Sequence, residues 1–148
     1  MHTFDKSVKI RSLIVNADNG DLNTPWVQPF SGGASADRAV FMISVGTVGA
    51  QLDMALYQAT DAAGTGRKAI TGAALTQVDS NNDESIKTIE IGPGALDDKN
   101  GFKYVRAEVV VAGSATEVYT VALIQHRLRY PGIDDQHASY DEQVVVLG

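Results

Sequence analysis

The sequence predicts an all-β fold, a single-domain antiparallel β-sandwich or barrel, and three observations predict it. Apolar residues come in short runs separated by clusters of Gly, Asn, Asp and Ser. Within these runs, apolar and polar side chains alternate with a period of two. β-branched residues dominate the runs, and such residues pack well on a pleated sheet but lose rotamer freedom in a helix.

Seven segments carry this pattern and are predicted strands. In the third segment, Leu52, Met54 and Leu56 point to one face while the residues between them point to the other. Seven half-buried strands suit two packed sheets. The predicted strands are residues 8–15, 39–45, 50–60, 73–78, 86–91, 102–111 and 117–129.

Turn residues predict how the later strands connect. Asn100 and Gly101 both tolerate positive φ, so the chain is expected to reverse just before residue 102. The small residues between Val111 and Ala115 are expected to act in the same way, which predicts a β-hairpin over residues 102–129. One helical turn is expected over residues 94–98, with Leu96 against the core.

Two stretches lie outside the strand pattern. Residues 16–38 are polar and turn-rich and form a long loop or arm of a domain over residues 1–130, with Trp26 and Phe30 as aromatic anchors. Residues 131–148 are predicted to form a C-terminal tail. We expect the tail either to dock on its own domain or to add a strand to a neighbour's sheet. Its candidate contacts are Tyr140, Val144, Val145, Val146 and Leu147.

Composition excludes several classes of function. The chain of 148 residues fits one domain, and because it contains no cysteine, disulfides, thiolate nucleophiles and sulfur-bound metals are excluded. Its net charge of -6 disfavours nucleic-acid binding, which depends on clustered Lys and Arg. No apolar segment has the length of a signal peptide or a membrane helix, so we expect synthesis in the cytoplasm and no membrane partner.

Motifs for catalysis or cofactor binding are missing from the sequence. His126 is the only histidine within a predicted strand and is better explained by a structural role. Ser35 lacks the glycine spacing and the strand-to-helix setting of a nucleophile elbow. The glycines and basic residues of 64–68 lack the spacing of a phosphate-binding loop. The sequence therefore predicts a protein that is not an enzyme and that holds no cofactor or metal.

One segment resembles a calcium loop, because Asp79, Asn81 and Asp83 place oxygen ligands at alternate positions. However, Glu84 stands where the sharp turn of such a loop requires glycine, and the next segment is a predicted strand instead of a helix. A polar hairpin turn is the favoured interpretation, and calcium binding stays an open alternative.

Three stretches resemble small virion proteins that are encoded beside the major capsid gene of tailed phages and prophages. These are Leu-Asp-Met-Ala-Leu-Tyr-Gln-Ala-Thr-Asp-Ala-Ala-Gly-Thr-Gly at 52–66, Ile-Thr-Gly-Ala-Ala-Leu-Thr at 70–76, and Leu96 followed by Gly-Phe-Lys-Tyr-Val-Arg at 101–106. The resemblance covers roughly residues 38–130. It implies a capsid decoration (cement) protein with a β-sandwich or barrel fold and no catalytic residues to carry over.

A cement protein binds the outer capsid surface and stabilises the shell by bridging capsomers, so the resemblance implies the major capsid protein as partner and the virion as location. Self-association into a dimer or trimer fits symmetric positions on a shell. Two alternatives stay open: a minor head-tail connector or tail protein, and a carbohydrate- or receptor-binding β-sandwich with exposed aromatic residues.

Overall fold

The computed structural model describes residues 8–18, 22–30, 36–82, 84–112, 117–126 and 142–147, which form two packed β-sheets. The predicted all-β sandwich is thereby confirmed. The helical content of these residues is limited to two 3-10 turns, Pro93–Ala95 and Asp98–Asn100. Neither turn is long or apolar enough to span a membrane.

The strands are β1 (Val8–Asp18), β2 (Leu22–Asn23), β3 (Arg38–Val48), β4 (Gln51–Ala59), β5 (Lys68–Ala74), β6 (Val78–Asp79), β7 (Ile86–Ile91), β8 (Tyr104–Ala112), β9 (Glu117–His126) and β10 (Glu142–Val146).

The strands divide between two sheets. The first sheet has the order β1-β9-β3-β7-β10, and the second has the order β2-β8-β4-β5 with β6 also paired to β4. Neighbours are antiparallel except β10, which runs parallel to β7. β1 and β10 are therefore the two edges of the first sheet.

The core lies between the sheets and follows the predicted alternation. Leu52, Met54 and Leu56 of β4 all point inward and are no more than 1% exposed. They meet inward residues of the first sheet that are equally buried. Replacing one such leucine by alanine typically costs about 2–5 kcal/mol. The core residues supplied by the first sheet include Ala39, Phe41, Ile43, Ile89, Ile91, Tyr119, Val121 and Leu123.

The predicted hairpin over residues 102–129 is wrong. β8 ends in the second sheet, where it pairs with β4, and β9 begins in the first sheet, where it pairs with β1 and β3. A Gly-containing connection between two alternating strands serves an inter-sheet crossing as well as a hairpin, and nothing local distinguishes them. The sequence therefore placed both strands correctly but paired them incorrectly.

Two boundaries differ from the prediction. The predicted strand over 73–78 is divided, because residues 75–77 separate β5 from β6, and β5 begins earlier, at Lys68, with an irregularity at Gly72, which has a φ of 79. Gly101 has the expected positive φ of 82, but it ends the turn Asp98–Asn100. Leu96 packs partly buried against the core, as predicted.

Residues 16–38 are predicted to lie outside the strands, but residues 16–18 belong to the end of β1 and Arg38 begins β3, both in the first sheet, while residues 22–27 lie along the second sheet. Leu22 and Asn23 pair with Val109 and Glu108 of β8. Val27 then forms a bridge to Val105 and is 5% exposed. This segment therefore extends the second sheet beside β8.

Candidate functional site

In the first sheet, one row of side chains crosses all five strands on the face turned away from the core. Ile10 pairs with Ile124, Ile124 with Val40, Val40 with Glu90, and Glu90 with Val145. We call these five residues the outer row. Four of its members are apolar, although the face opposite the core of a two-sheet sandwich is usually polar.

The ends of the outer row are its most exposed members. Ile10, on edge strand β1, is 60% exposed, and Val145, on edge strand β10, is 49% exposed. Ile124 and Val40 between them are half-buried. A single exposed apolar residue is ordinary, but three adjacent apolar residues on an outer sheet face, with a fourth beyond Glu90 at the opposite edge, are typical of a protein-binding surface.

Glu90 is the one charged member of the outer row, and its charge is paired within the face. Its Oε1 lies 3.1 Å from Nε of Arg38 on the neighbouring strand β3. Both side chains are partly exposed, so the pair contributes little to stability. It does neutralise a carboxylate that would otherwise oppose an apolar contact.

The C-terminal strand takes one of the two outcomes expected for the tail: β10 docks on its own chain beside β7. Val144 and Val146 are half-buried against the core, and the Gly92 amide donates a 3.0 Å hydrogen bond to the Val146 carbonyl. Val145 and Leu147 point away from the core and are 49% and 48% exposed. The four predicted contact residues thus divide into two that hold the strand and two that present an apolar surface.

Trp26, a predicted contact residue, packs within its own chain. The centroid of its ring lies 4.6 Å from the Arg106 guanidinium. The ring also lies against Gly64, where a Cβ would come within 2.7 Å of the indole Nε1. Trp26 therefore ties the segment before β3 to β8 and to the loop between β4 and β5.

Phe30, the other aromatic anchor, lines a groove of about 350 Å³ at one end of the sandwich. Its side chain packs partly buried against the core. The groove includes Pro93, the neighbour of Gly92, whose amide is hydrogen-bonded to the Val146 carbonyl of β10. Phe30 and the C-terminal strand therefore lie at the same end of the molecule. The lining residues are Phe30, Pro93, Leu96, Asp98, Phe102 and Lys103.

The structure thus places Phe30 in the groove beside Pro93, and it places Trp26 against Arg106 on the second sheet. Tyr140, the remaining predicted contact residue, lies outside the described residues. Ile10 was not predicted as a contact residue. The local pattern gave no signal for it, because an apolar residue between Lys9 and Arg11 is expected to face the core, whereas the structure leaves Ile10 exposed.

The outer face of the second sheet carries a charge cluster that the sequence did not predict. Glu108 accepts hydrogen bonds from Arg67, including one of 2.6 Å from Nε, and a 2.8 Å bond from Nε of Arg106. The Arg67 guanidinium also lies 3.9 Å from the centroid of the Tyr57 ring. The i, i+2 spacing of Arg106 and Glu108 was a usable signal, but Arg67 is 41 residues from Glu108.

This cluster holds Glu108 in its charged form. Burial by itself would raise the pKa of the carboxyl group, since Glu108 is only 9% exposed. The hydrogen bonds and positive charges of Arg67 and Arg106 outweigh burial and leave the pKa of Glu108 below its ordinary value. The cluster can therefore stabilise the second sheet at neutral pH.

Cations cover ring faces that a sugar ligand would need. Arg67 stacks on Tyr57, Arg106 on Trp26, and the Lys68 ammonium lies 4.0 Å from the centroid of the Phe102 ring. Lys68 is held in turn by an ion pair with Asp97. These aromatic residues act as platforms for the protein's own cations.

The calcium-like segment forms a polar turn. Asp79 Oδ1 accepts hydrogen bonds from the Asn81 amide, at 2.8 Å, and from Asn82 Nδ2, at 3.2 Å. Asp83 lies outside the described residues. The turn connects β6 of the second sheet to β7 of the first. The predicted hairpin is therefore wrong, because the two strands that the turn joins do not pair with each other. Within the described ranges, no group of three or more acidic, His or Cys side chains is arranged to hold a metal ion.

No family model matches the chain, and neither does any curated protein or solved structure.

Proposed function

We propose that the chain is a virion structural protein of the capsid decoration (cement) type. It binds the outer surface of a shell built from the major capsid protein and stabilises the shell by bridging capsomers. The observation that carries the proposal is the outer row, which ends in exposed Ile10 and Val145 on opposite edges of one sheet. Two apolar ends on opposite edges allow one rigid domain to contact two neighbouring subunits.

The physical demands of the role fit this surface. Each contact is small, because standard stable interfaces bury about 800 Å² per partner and a single sheet edge offers less. Many copies on one shell act together, so weak contacts at each site produce strong net attachment. Self-association into a dimer or trimer would bring several outer rows onto one symmetric position.

The resemblance of residues 38–130 to small virion proteins supports the same proposal from the sequence. The role needs no catalytic residue and no cofactor. The net charge of -6 agrees with a protein partner and opposes binding to encapsidated nucleic acid. A carbohydrate-binding role has less support, because cations already lie on the faces of Tyr57, Trp26 and Phe102.

Two measurements on purified particles test the proposal. Mixing the protein with shells that lack it, followed by sedimentation, is expected to show saturable binding to the shell exterior. Counting copies per particle by quantitative mass spectrometry separates decoration from a connector or tail role. Copies in the hundreds support decoration, whereas about a dozen or fewer would identify the connector or tail alternative and overturn the proposal.

A further inference from the structure

The first five residues of β1 form a regular sheet edge. Val8–Ser12 pairs with β9 in five consecutive register positions, and the first register shift occurs only after Ser12. β1 has no second neighbour among the strands that the structure describes. Its outer backbone groups therefore form a template on which another strand can pair.

The side chains along this edge are also open to solvent. Lys9, Ile10, Arg11 and Ser12 are four consecutive exposed residues. Ile10 at 60% is the most exposed large apolar side chain in the described part of the chain. A partner strand can therefore approach without displacing any of these side chains.

The two cations of the edge point to the inner side of the sheet. Arg11 pairs with Leu123, which is fully buried and points inward, and Lys9 pairs with Gln125 on the same side. Neither of these partners across the ladder is acidic. Inward-pointing charges on an edge strand oppose pairing with an identical edge, because like charges would then lie close together. The edge therefore disfavours a second copy of itself.

We infer that the Lys9–Ser12 edge binds an extended, acidic segment of a partner protein by β-strand addition. The segment carries Asp or Glu at two alternate positions, which face Lys9 and Arg11, and an apolar residue between them, which packs beside Ile10. Cross-strand pairs of opposite charge stabilise such a pairing, while a basic segment is rejected. The inference deepens the proposed function and rests on it for the identity of the partner, a subunit of the shell.

Fluorescence anisotropy with two labelled peptides tests the inference on the free protein. Both peptides are nine residues long and consist of threonine except at the centre, where one has a Glu-Val-Glu triplet and the other Lys-Val-Lys. We expect the acidic peptide to bind about tenfold more tightly than the basic one, because two attractive pairs replace two repulsive ones. Equal binding of the two peptides, or binding of neither, would overturn the inference.

Charge-reversal variants locate the site. The double variant K9E/R11E is expected to reverse the preference and bind the basic peptide, a gain that misfolding cannot produce. The double variant K99E/K103E changes the net charge by the same amount at two exposed lysines that do not belong to β1, so it should keep the acidic preference. A loss of preference in both variants would show a general charge effect and contradict the inference.

The two proposals fail in distinguishable ways. If the peptides do not discriminate while the protein still coats shells in many copies, the edge inference is wrong and the decoration role stands. If the acidic peptide binds as expected while the protein does not bind shells, the edge is a docking site for another partner and the decoration role is wrong.

Discussion

The Trp26 ring lies against Gly64 so closely that a Cβ on Gly64 would come within 2.7 Å of the indole Nε1. Gly64 also has a φ of 88, a conformation that L side chains rarely adopt. This contact fixes the segment before β3 to the loop between β4 and β5. It explains why an aromatic residue in a polar, turn-rich stretch is half-buried.

Substituting Gly64 by alanine tests this contact. We expect Gly64→Ala to lower the free energy of unfolding by about 2–4 kcal/mol, combining left-handed backbone strain with displacement of the Trp26 ring. Gly101→Ala is the matched control, because Gly101 has a similar φ of 82 but no atom within 4 Å of an added Cβ. For the control, urea unfolding should show that the free energy of unfolding falls by only about 1–2 kcal/mol. Equal losses in the two variants would contradict the contact.

Glu108 gives the stability a predictable dependence on pH. Its folded pKa lies below its ordinary value of 4.5, so its stabilising contribution is complete above that pH and is lost as the pH falls through the lower folded pKa. We expect Glu108→Gln to be less stable than the wild type by about 1–3 kcal/mol at pH 7, with the gap closing in acid. Unfolding curves between neutral and acidic pH measure the gap. A gap that is constant with pH would contradict the assignment.

The two faces of β10 are expected to differ in their effect on stability. Val146→Ala removes methyl groups that pack on the core and lie near Gly72, and we expect a loss of about 1–2 kcal/mol. Val145→Ala alters an exposed side chain and should change stability by less than about 0.5 kcal/mol. Thermal unfolding of the two variants measures the difference. Similar losses would mean that β10 does not dock on β7 in solution.

The strand pattern was predictable because it is local. Leu52, Met54 and Leu56 show their inward face in the sequence, and the structure buries all three. Pairing was not predictable, because the connection between β8 and β9 carries the same turn residues whether it joins one sheet or two. The irregularity at Gly72 was also missed, because the sequence does not distinguish a glycine within an irregular strand from a glycine in a turn.

The candidate site was predictable only in part, because it depends on register between strands. Val145 was predicted as a contact residue, but its place beside Glu90 is set by parallel pairing of β10 with β7. Ile10 lies far from Val145 in the sequence and joins it only through three intervening strands. The pairing of Arg67 with Glu108 is equally non-local, which is why the second sheet's charge cluster was not predicted.

The decisive test of the account compares Val145→Lys with Val110→Lys in shell binding. Both valines are 49% exposed, and each lies opposite an acidic residue on the neighbouring strand, Glu90 for Val145 and Asp53 for Val110. They differ in the sheet whose outer face they occupy. Unfolding measurements on both variants confirm that the fold is kept.

We expect Val145→Lys to weaken sedimentation with shells by about tenfold or more, because a charge is buried at the apolar contact, while Val110→Lys binds as the wild type does. Equal binding by the two variants would contradict the claim that the outer row of the first sheet contacts the shell.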